Sequence, residues 1–189
     1  ADALKGAIES MKNGQPMGDG IGPMVVGEMM LTTSKQNAAF ETVWSKSEYE
    51  GRELLLVKAE GPNSTVGRPG EAIENIIPQN KPDLIIMIDA ALKLEGEDSA
   101  SIAKGFGAAI GGIGTERFKI EEVATKNSIP ILAIVIKQTI QEAITLMSEN
   151  IAKQAKPVRN QIYEMIEENS KSGQTVMIVG VGNTLGISQ

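Results

Sequence analysis

The chain has 189 residues, of which 41% are hydrophobic, carries a net charge of −6, and contains no histidine and no cysteine. These absences exclude Ser-His-Asp triads, thiol nucleophiles and Cys/His zinc sites, so that acid–base chemistry falls to carboxylates, lysines and tyrosines. The acidic balance disfavours nucleic acid and anionic membranes as partners, and the lack of cysteine fits a cytoplasmic location.

Apolar runs of strand length alternate with amphipathic helical segments, which predicts a three-layer αβα fold with a doubly wound, mostly parallel sheet. The predicted strands span residues 40–44, 54–57, 84–88, 131–136 and 176–179, and we expect the first two to form a hairpin at the sheet edge. The predicted helices span residues 24–31, 72–77 and 120–124, a single stripe over 140–151, and a last helix after Pro157 that Gly173 ends.

The length and apolar content predict a single domain over residues 1–189. Because the sequence starts at Ala1 and not at methionine, we expect it to be a piece of a longer chain. None of its apolar runs approaches the length of a membrane helix, although the remainder of such a chain could hold an anchor.

Two glycine-rich segments lack the neighbouring elements that phosphate binding requires. Residues 105–114 do not follow a convincing strand, so a loop or a close backbone approach is the simpler interpretation. Residues 179–186 follow a strand but run into the end of the sequence, with no helix to offer its N-terminus. A buried strand that ends in this way needs a segment after it in space, and the turn around Asp19, before a helix that opens at Pro23, is the candidate.

Two aspartates are the most chemically suggestive residues of the chain. Asp89 follows an apolar strand, at the position where open α/β sheets bind their ligands, and Asp19 lies in a glycine-flanked turn. Each also has a purely structural interpretation, Asp19 as a turn residue before a helix and Asp89 as the cap of the next turn. Their joint placement at the carboxyl ends of parallel strands favours a functional site.

The two ends of the sequence together resemble one motif of the superfamily that contains the hydrogenase maturation endopeptidases and the spore germination protease. In those proteins a first strand ends in Gly-x-Gly-Asn, and an acidic residue and a Gly-x-Gly-Pro that opens a helix follow shortly. Residues 179–185 and 18–26 hold these halves at opposite ends, so the chain resembles a circular permutation of that fold, in an archaeal-type family. Residues 61–67, 81–90 and 112–117 resemble the germination protease branch in their order.

This resemblance implies a peptidase-like hydrolase in which Asp19 and Asp89 are the key acids. Two close carboxyls in a cleft share one proton and so supply an acid and a base, and a water between them could attack a peptide carbonyl. Candidates for substrate binding in the same cleft are Asn63, Ser64, Thr65 and Asn183.

We expect no cofactor, and the partner to be a protein or peptide substrate or a small molecule, without nucleic acid or membrane contact. In the hydrogenase maturation branch the equivalent acids help to bind nickel together with a histidine, which this chain lacks. The alternative to a metal-free site is Mg²⁺ or Ca²⁺ held by Asp19 and Asp89, with Asn183 as a third ligand. The alternative to catalysis is a binding or assembly module that retains the hydrolase fold.

Overall fold

A seven-stranded sheet organises the part of the chain that this computed structural model describes, namely residue 5 and residues 13–106 and 115–188. A short 3₁₀ turn at Gly18–Gly20 leads into the first helix. The elements that follow are α1 (Ile21–Met29), β1 (Gln36–Ala39), β2 (Thr42–Tyr49), β3 (Arg52–Ala59), α2 (Pro69–Ile76), β4 (Leu84–Leu92), β5 (Ile102–Phe106), α3 (Thr115–Lys126), β6 (Ile131–Gln138), α4 (Ile140–Ile144), α5 (Glu149–Ala152), α6 (Ala155–Asn169) and β7 (Thr175–Gly180).

The strands lie in the order β1-β2-β3-β7-β4-β6-β5. Strands β3, β7, β4 and β6 are parallel, whereas β1 and β2 on one side and β5 on the other are antiparallel to their neighbours. The last strand of the chain therefore lies in the middle of the sheet. In the described ranges, no helix is both long enough and apolar enough to cross a bilayer.

Helices cover both faces of the sheet, which confirms the predicted three-layer αβα fold. Alternate residues of β4 and β7 point to opposite faces, so Ile86 and Ile178 pack with α1 and α6 while Met87 and Met177 pack with α2 and α3. All four side chains are fully buried. Each such burial contributes about 1.5–3 kcal/mol, and the central strands are apolar on both faces for this reason.

The predicted helical stripe over residues 140–151 is wrong. The structure has two short helices, because Thr145 is extended and Ser148 caps α5 by accepting the Ile151 N–H at 3.2 Å. Between the two helices Leu146 forms an isolated β-bridge with Met17. Backbone pairing with the segment before Asp19 thus overrides the helical spacing of the apolar residues.

The two helices that the sequence separates at Pro157 are distinct, but the break lies before the proline, because α5 ends at Ala152 and α6 begins at Ala155. This proline lies in the first turn of α6, where its missing N–H costs no intrahelical hydrogen bond. The helix begins at Ala155 and ends at Asn169, four residues before Gly173. A proline near a helix start therefore marks the first turn here and does not separate two helices.

Both edges of the sheet differ in detail from the prediction. Glu41, at φ +46°, forms a turn that divides the predicted strand at 40–44, so that β1 and not the β2–β3 hairpin lies at that edge. At the other edge, β5 pairs with β6 and leads directly into residues 105–114, so the prediction that no strand precedes this segment is wrong. The rest of that glycine-rich segment, residues 107–114, lies outside the described residues.

Lys58 is fully buried on β3 beneath α1, where an ammonium group is costly. Its Nζ donates to the Ala59 carbonyl oxygen at 3.0 Å, and its chain runs under Gly27. Burial, with a smaller contribution from the positive charge of Lys35, lowers the pKa of Lys58 to about 8 from 10.5. The folded protein therefore binds this proton less tightly than the unfolded chain does.

We expect Lys58→Met to be more stable than the wild type by about 1–2 kcal/mol at neutral pH. The destabilisation that the buried Lys58 ammonium causes in the wild type is complete below a pH of about 8 and falls as the pH rises to 10.5. The difference in stability between the variant and the wild type should therefore close over that range. Urea unfolding as a function of pH measures this difference in stability, and Lys46→Met, at an exposed position of β2, is the control. A gap that is independent of pH would contradict the burial of a titrating amine.

Candidate functional site

The segment after β7 and the turn before α1 meet at the carboxyl end of the parallel strands, as the sequence predicts. Val181 donates its N–H to the carbonyl oxygen of Ile88, midway along β4 and beside the end of β7, at 2.8 Å. A Cβ on Gly22 would lie 2.5 Å from that carbonyl oxygen, and one on Gly182, at φ +146°, would overlap the Asp19 backbone. Glycine at 22 and 182 thus allows the two segments to pack backbone against backbone.

Asp19 lies in the 3₁₀ turn and is held by the tail of the chain. Its Oδ2 accepts the backbone N–H of Asn183 at 3.0 Å, a contact between residues 164 positions apart. Burial raises the pKa of Asp19 above the ordinary 3.8, and the Asn183 hydrogen bond opposes part of that rise. Asp19 is therefore a fixed carboxyl that takes up a proton more readily than an exposed aspartate.

Asp89 is still more buried, at 2% exposure. It lies within β4, which continues to Leu92, so the prediction that it follows the strand and caps a turn is wrong. Its Oδ2 has no hydrogen-bond partner within the residues that the structure describes. Burial and then the negative charge of Asp19 raise the pKa of Asp89 well above its usual range, against the weaker effects of the Ala90 N–H and the Arg117 guanidinium. The two carboxyls thus interact electrostatically, and Asp89 is the one that keeps its proton to the higher pH.

Arg117 is a charged group of the site that sequence reasoning missed. It lies buried at the start of α3, and its Nε is 3.5 Å from Glu121 Oε1. Its positive charge favours the ionised form of Asp89 and so limits the effect of burial. An Arg–Glu pair four residues apart on a helix is typical of a solvated surface, so the pattern alone gave no signal.

Asn183 and Ser64, two of the predicted substrate-binding residues, contact each other. Asn183 Nδ2 donates to Ser64 Oγ at 2.9 Å, and its Oδ1 accepts the Leu185 N–H at 2.9 Å. The backbone N–H of Asn183 therefore binds Asp19, and its side chain binds Ser64 and the Leu185 N–H in the tail. Its role in substrate binding stays a prediction.

The loop that carries Asn63 and Thr65 is tied to the same tail through Thr184, another residue that sequence reasoning missed. The fully buried Thr184 hydroxyl lies 2.8, 3.0 and 3.1 Å from the carbonyl oxygens of Glu60, Asn63 and Thr65. The Thr184 N–H also donates to Thr65 at 3.0 Å. Ser64 and Asn63 remain exposed on this loop, close to the tail that holds Asp19, so they are available to a ligand.

A shallow cavity of about 320 Å³ lies further along β4 and β6, past Asp89. Its lining is Leu92, Lys93, Leu94, Glu95, Thr139, Ile140 and Gln141. The leucines and Ile140 expose much of their side chains. The edge of the sheet next to the aspartates therefore offers apolar surface.

Whether the site holds a metal ion stays a prediction, and the oxygen donors around the aspartates are as follows. In the described ranges, no group of three or more acidic side chains is arranged to hold a metal ion. One oxygen of Asp19 already accepts an amide hydrogen bond, and burial raises the pKa of both carboxyls. A hard cation would draw two carboxylate ligands from the pair and the rest of its coordination from water or carbonyl groups.

Comparison with known proteins relates this chain to peptidases. It is 26% identical over 148 residues to the germination protease of Clostridium acetobutylicum, covering 77% of this chain and 43% of that protein. It is 25% identical over 169 residues to the germination protease of Clostridium perfringens strain SM101, covering 85% and 50%. The chain thus spans about half the length of the curated relatives it matches, and the hydrogenase maturation branch and the archaeal-type family stay predictions. Residues 17–188 match the family model described as "Domain of unknown function (DUF1512) C-terminal", and the chain belongs to that family.

Proposed function

We propose that this domain is an aspartate-dependent peptidase whose Asp19 and Asp89 act as one acid–base pair. The observation that carries the proposal is the placement of the half-buried Asp19 and the buried Asp89 beside the end of β7, where the charge of Asp19 raises the pKa of Asp89. The distant likeness to germination proteases supports the reaction class.

The roles of the two carboxyls follow from their surroundings. Asp19, which accepts the Asn183 N–H, is the ionised base that takes a proton from water as the water oxygen attacks a peptide carbonyl carbon. Asp89 is the acid that donates its proton to the carbonyl oxygen. When the tetrahedral intermediate collapses, the C–N bond breaks and the amine leaves with the proton that Asp19 had taken up. One hydroxyl of the intermediate returns a proton to Asp89 as the C=O bond of the product acid forms, so both carboxyls regain their starting state.

The second candidate function is a binding or assembly module without catalysis. The observation in its favour is the 2% exposure of Asp89, because an attacking water and a substrate must both come close to that carboxyl. The two candidates differ in whether loss of the carboxyls changes peptide hydrolysis.

Incubation with a proteome-derived peptide library, followed by mass spectrometry of new N-termini, separates these candidates. We expect the wild type to generate termini that the Asp19→Asn/Asp89→Asn double variant does not, and an exposed-site control, Asp98→Asn, to match the wild type. Unchanged cleavage in the presence of a chelator would favour the metal-free site. Equal termini from the wild type and the double variant would overturn the peptidase proposal.

A further inference from the structure

Gln138 is a buried amide at the end of β6, next to the turn that carries Asp19. It is 1% exposed and follows Ile134 and Ile136 on the α1-facing side of its strand. Its Nε2 donates to the Gly18 carbonyl oxygen at 2.8 Å, across 120 residues of sequence. Its Oε1 has no partner within the part of the chain that the structure describes. A half-satisfied buried amide costs stability, so packing alone does not account for glutamine at this position.

The Gly18 carbonyl is the peptide group that leads directly into Asp19. Holding this carbonyl fixes the plane of the Gly18–Asp19 peptide and therefore the direction in which the Asp19 side chain leaves the backbone. The N–H of Gly18 is held independently by the Thr145 carbonyl oxygen at 3.2 Å. A Cβ on Gly18 would overlap the Glu142 backbone, so the turn lies directly against α4.

Hydrogen bonds to neighbouring elements hold the backbone around Gln138 in place. Its carbonyl oxygen accepts the Lys93 N–H at 2.9 Å from the end of β4. The next residue, Thr139, caps α4 through its hydroxyl, which accepts the Glu142 N–H at 3.1 Å, while Glu142 Oε1 accepts the Thr139 N–H at 3.0 Å. The amide of Gln138 thus projects from a rigid strand end and not from a mobile loop.

We propose that Gln138 is a positioning residue that holds the Asp19 carboxylate against the Asn183 N–H and towards Asp89. The inference rests on the proposed function for its catalytic consequence, but its structural content is independent of any substrate. Gln138 acts through the backbone of Gly18, whose carbonyl oxygen also accepts the Ile21 N–H within the 3₁₀ turn. Without the Gln138 hydrogen bond, this carbonyl is held by the turn alone and loses its anchor on the sheet.

The backbone amide signal of Asn183 in a ¹H–¹⁵N spectrum reports directly on this positioning, because that N–H bonds to Asp19 Oδ2. In Gln138→Leu we expect the Asn183 proton to move upfield and its hydrogen exchange to become about tenfold faster or more, as a lost hydrogen bond allows. Signals from the distant β2–β3 hairpin should not change. Gln161→Leu, which removes an amide that bonds Glu164 on the surface of α6, is the matched control and should leave Asn183 unaltered.

The library cleavage assay gives the catalytic readout. A displacement of about 1 Å at a reacting group can cost about 10²-fold in rate, so we expect kcat for a cleaved library peptide to fall about 10- to 100-fold in Gln138→Leu, with KM little changed. If Gln138→Leu does not fold, Gln138→Met, which keeps the length of the side chain, is measured in its place.

The outcomes separate this inference from the proposed function. A wild type that cleaves nothing overturns the peptidase proposal, while the Asn183 signal still tests the positioning. An unshifted Asn183 signal, or unchanged kcat in an active enzyme, overturns the role of Gln138.

Discussion

Asp89→Asn is expected to lower peptide hydrolysis by about 10³-fold, within the range that general acid–base groups contribute, because asparagine cannot donate the proton that the carbonyl oxygen needs. The substitution keeps the size of the side chain and the fold around β4. Initial rates on library peptides measure the effect, and Asp98→Asn serves as the exposed control with the same chemical change.

The same variant is expected to be more stable than the wild type at neutral pH, by about 1–2 kcal/mol. Burial raises the pKa of Asp89 above 3.8, so the folded state holds the proton more tightly than the unfolded chain does. The contribution of Asp89 to stability is therefore complete below 3.8 and is lost as the pH rises through the raised pKa. Urea unfolding at several pH values should show the gap opening as the pH increases. A variant that loses both activity and stability would mark Asp89 as a structural residue.

The second large effect is a coupling between the two aspartates in a double-mutant cycle of stability, measured at a pH where both carboxyls are ionised. Removal of either charge relieves the other, so the summed gains of Asp19→Asn and Asp89→Asn should exceed the gain of the double variant. We expect the difference to be about 1 kcal/mol, as for groups in direct electrostatic contact.

A matched cycle of Asp89→Asn with Asp98→Asn provides the reference for additivity. Asp98 is exposed, and its charge does not figure among the causes of the Asp89 pKa shift. The two substitutions should therefore add within about 0.5 kcal/mol. Additivity in the Asp19–Asp89 cycle as well would show that the two carboxyls do not sense each other.

The sequence was sufficient for the central strands, and it was sufficient to single out the two aspartates as candidates, because these signals are local. Apolar runs buried on both faces identify β4, β6 and β7, and Asp89 ends such a run in the sequence itself. Asp19 was recognisable because glycines surround it in a turn before a helix.

Residues that hold the site in place could not be found in the same way, because their partners are distant in sequence. Gln138 contacts Gly18 across 120 residues, and Thr184 contacts Glu60 across 124. In the sequence, Gln138 is only a polar residue at the end of a strand, and Thr184 is only a threonine after an asparagine. Strands β1 and β5 escaped prediction because pairing with β2 and β6, and not apolar content, defines them.

The circular permutation stays a prediction, and the position of β7 supports it. This last strand lies between β3 and β4, and its tail holds the first turn of the described chain through Asn183. A circular permutation leaves half of the Gly-x-Gly-Asn and Gly-x-Gly-Pro motif at each end of a sequence. The fold then brings the two halves together in this way.

Carbon-13 NMR titration of the Asp19 and Asp89 carboxyl groups in the wild-type protein tests the acid–base pair most directly. The pair should titrate in two coupled steps, with Asp89 the last to ionise and both groups above the ordinary aspartate value of 3.8. Two independent titrations near 3.8 would contradict the account, because neither carboxyl would then hold a proton for catalysis.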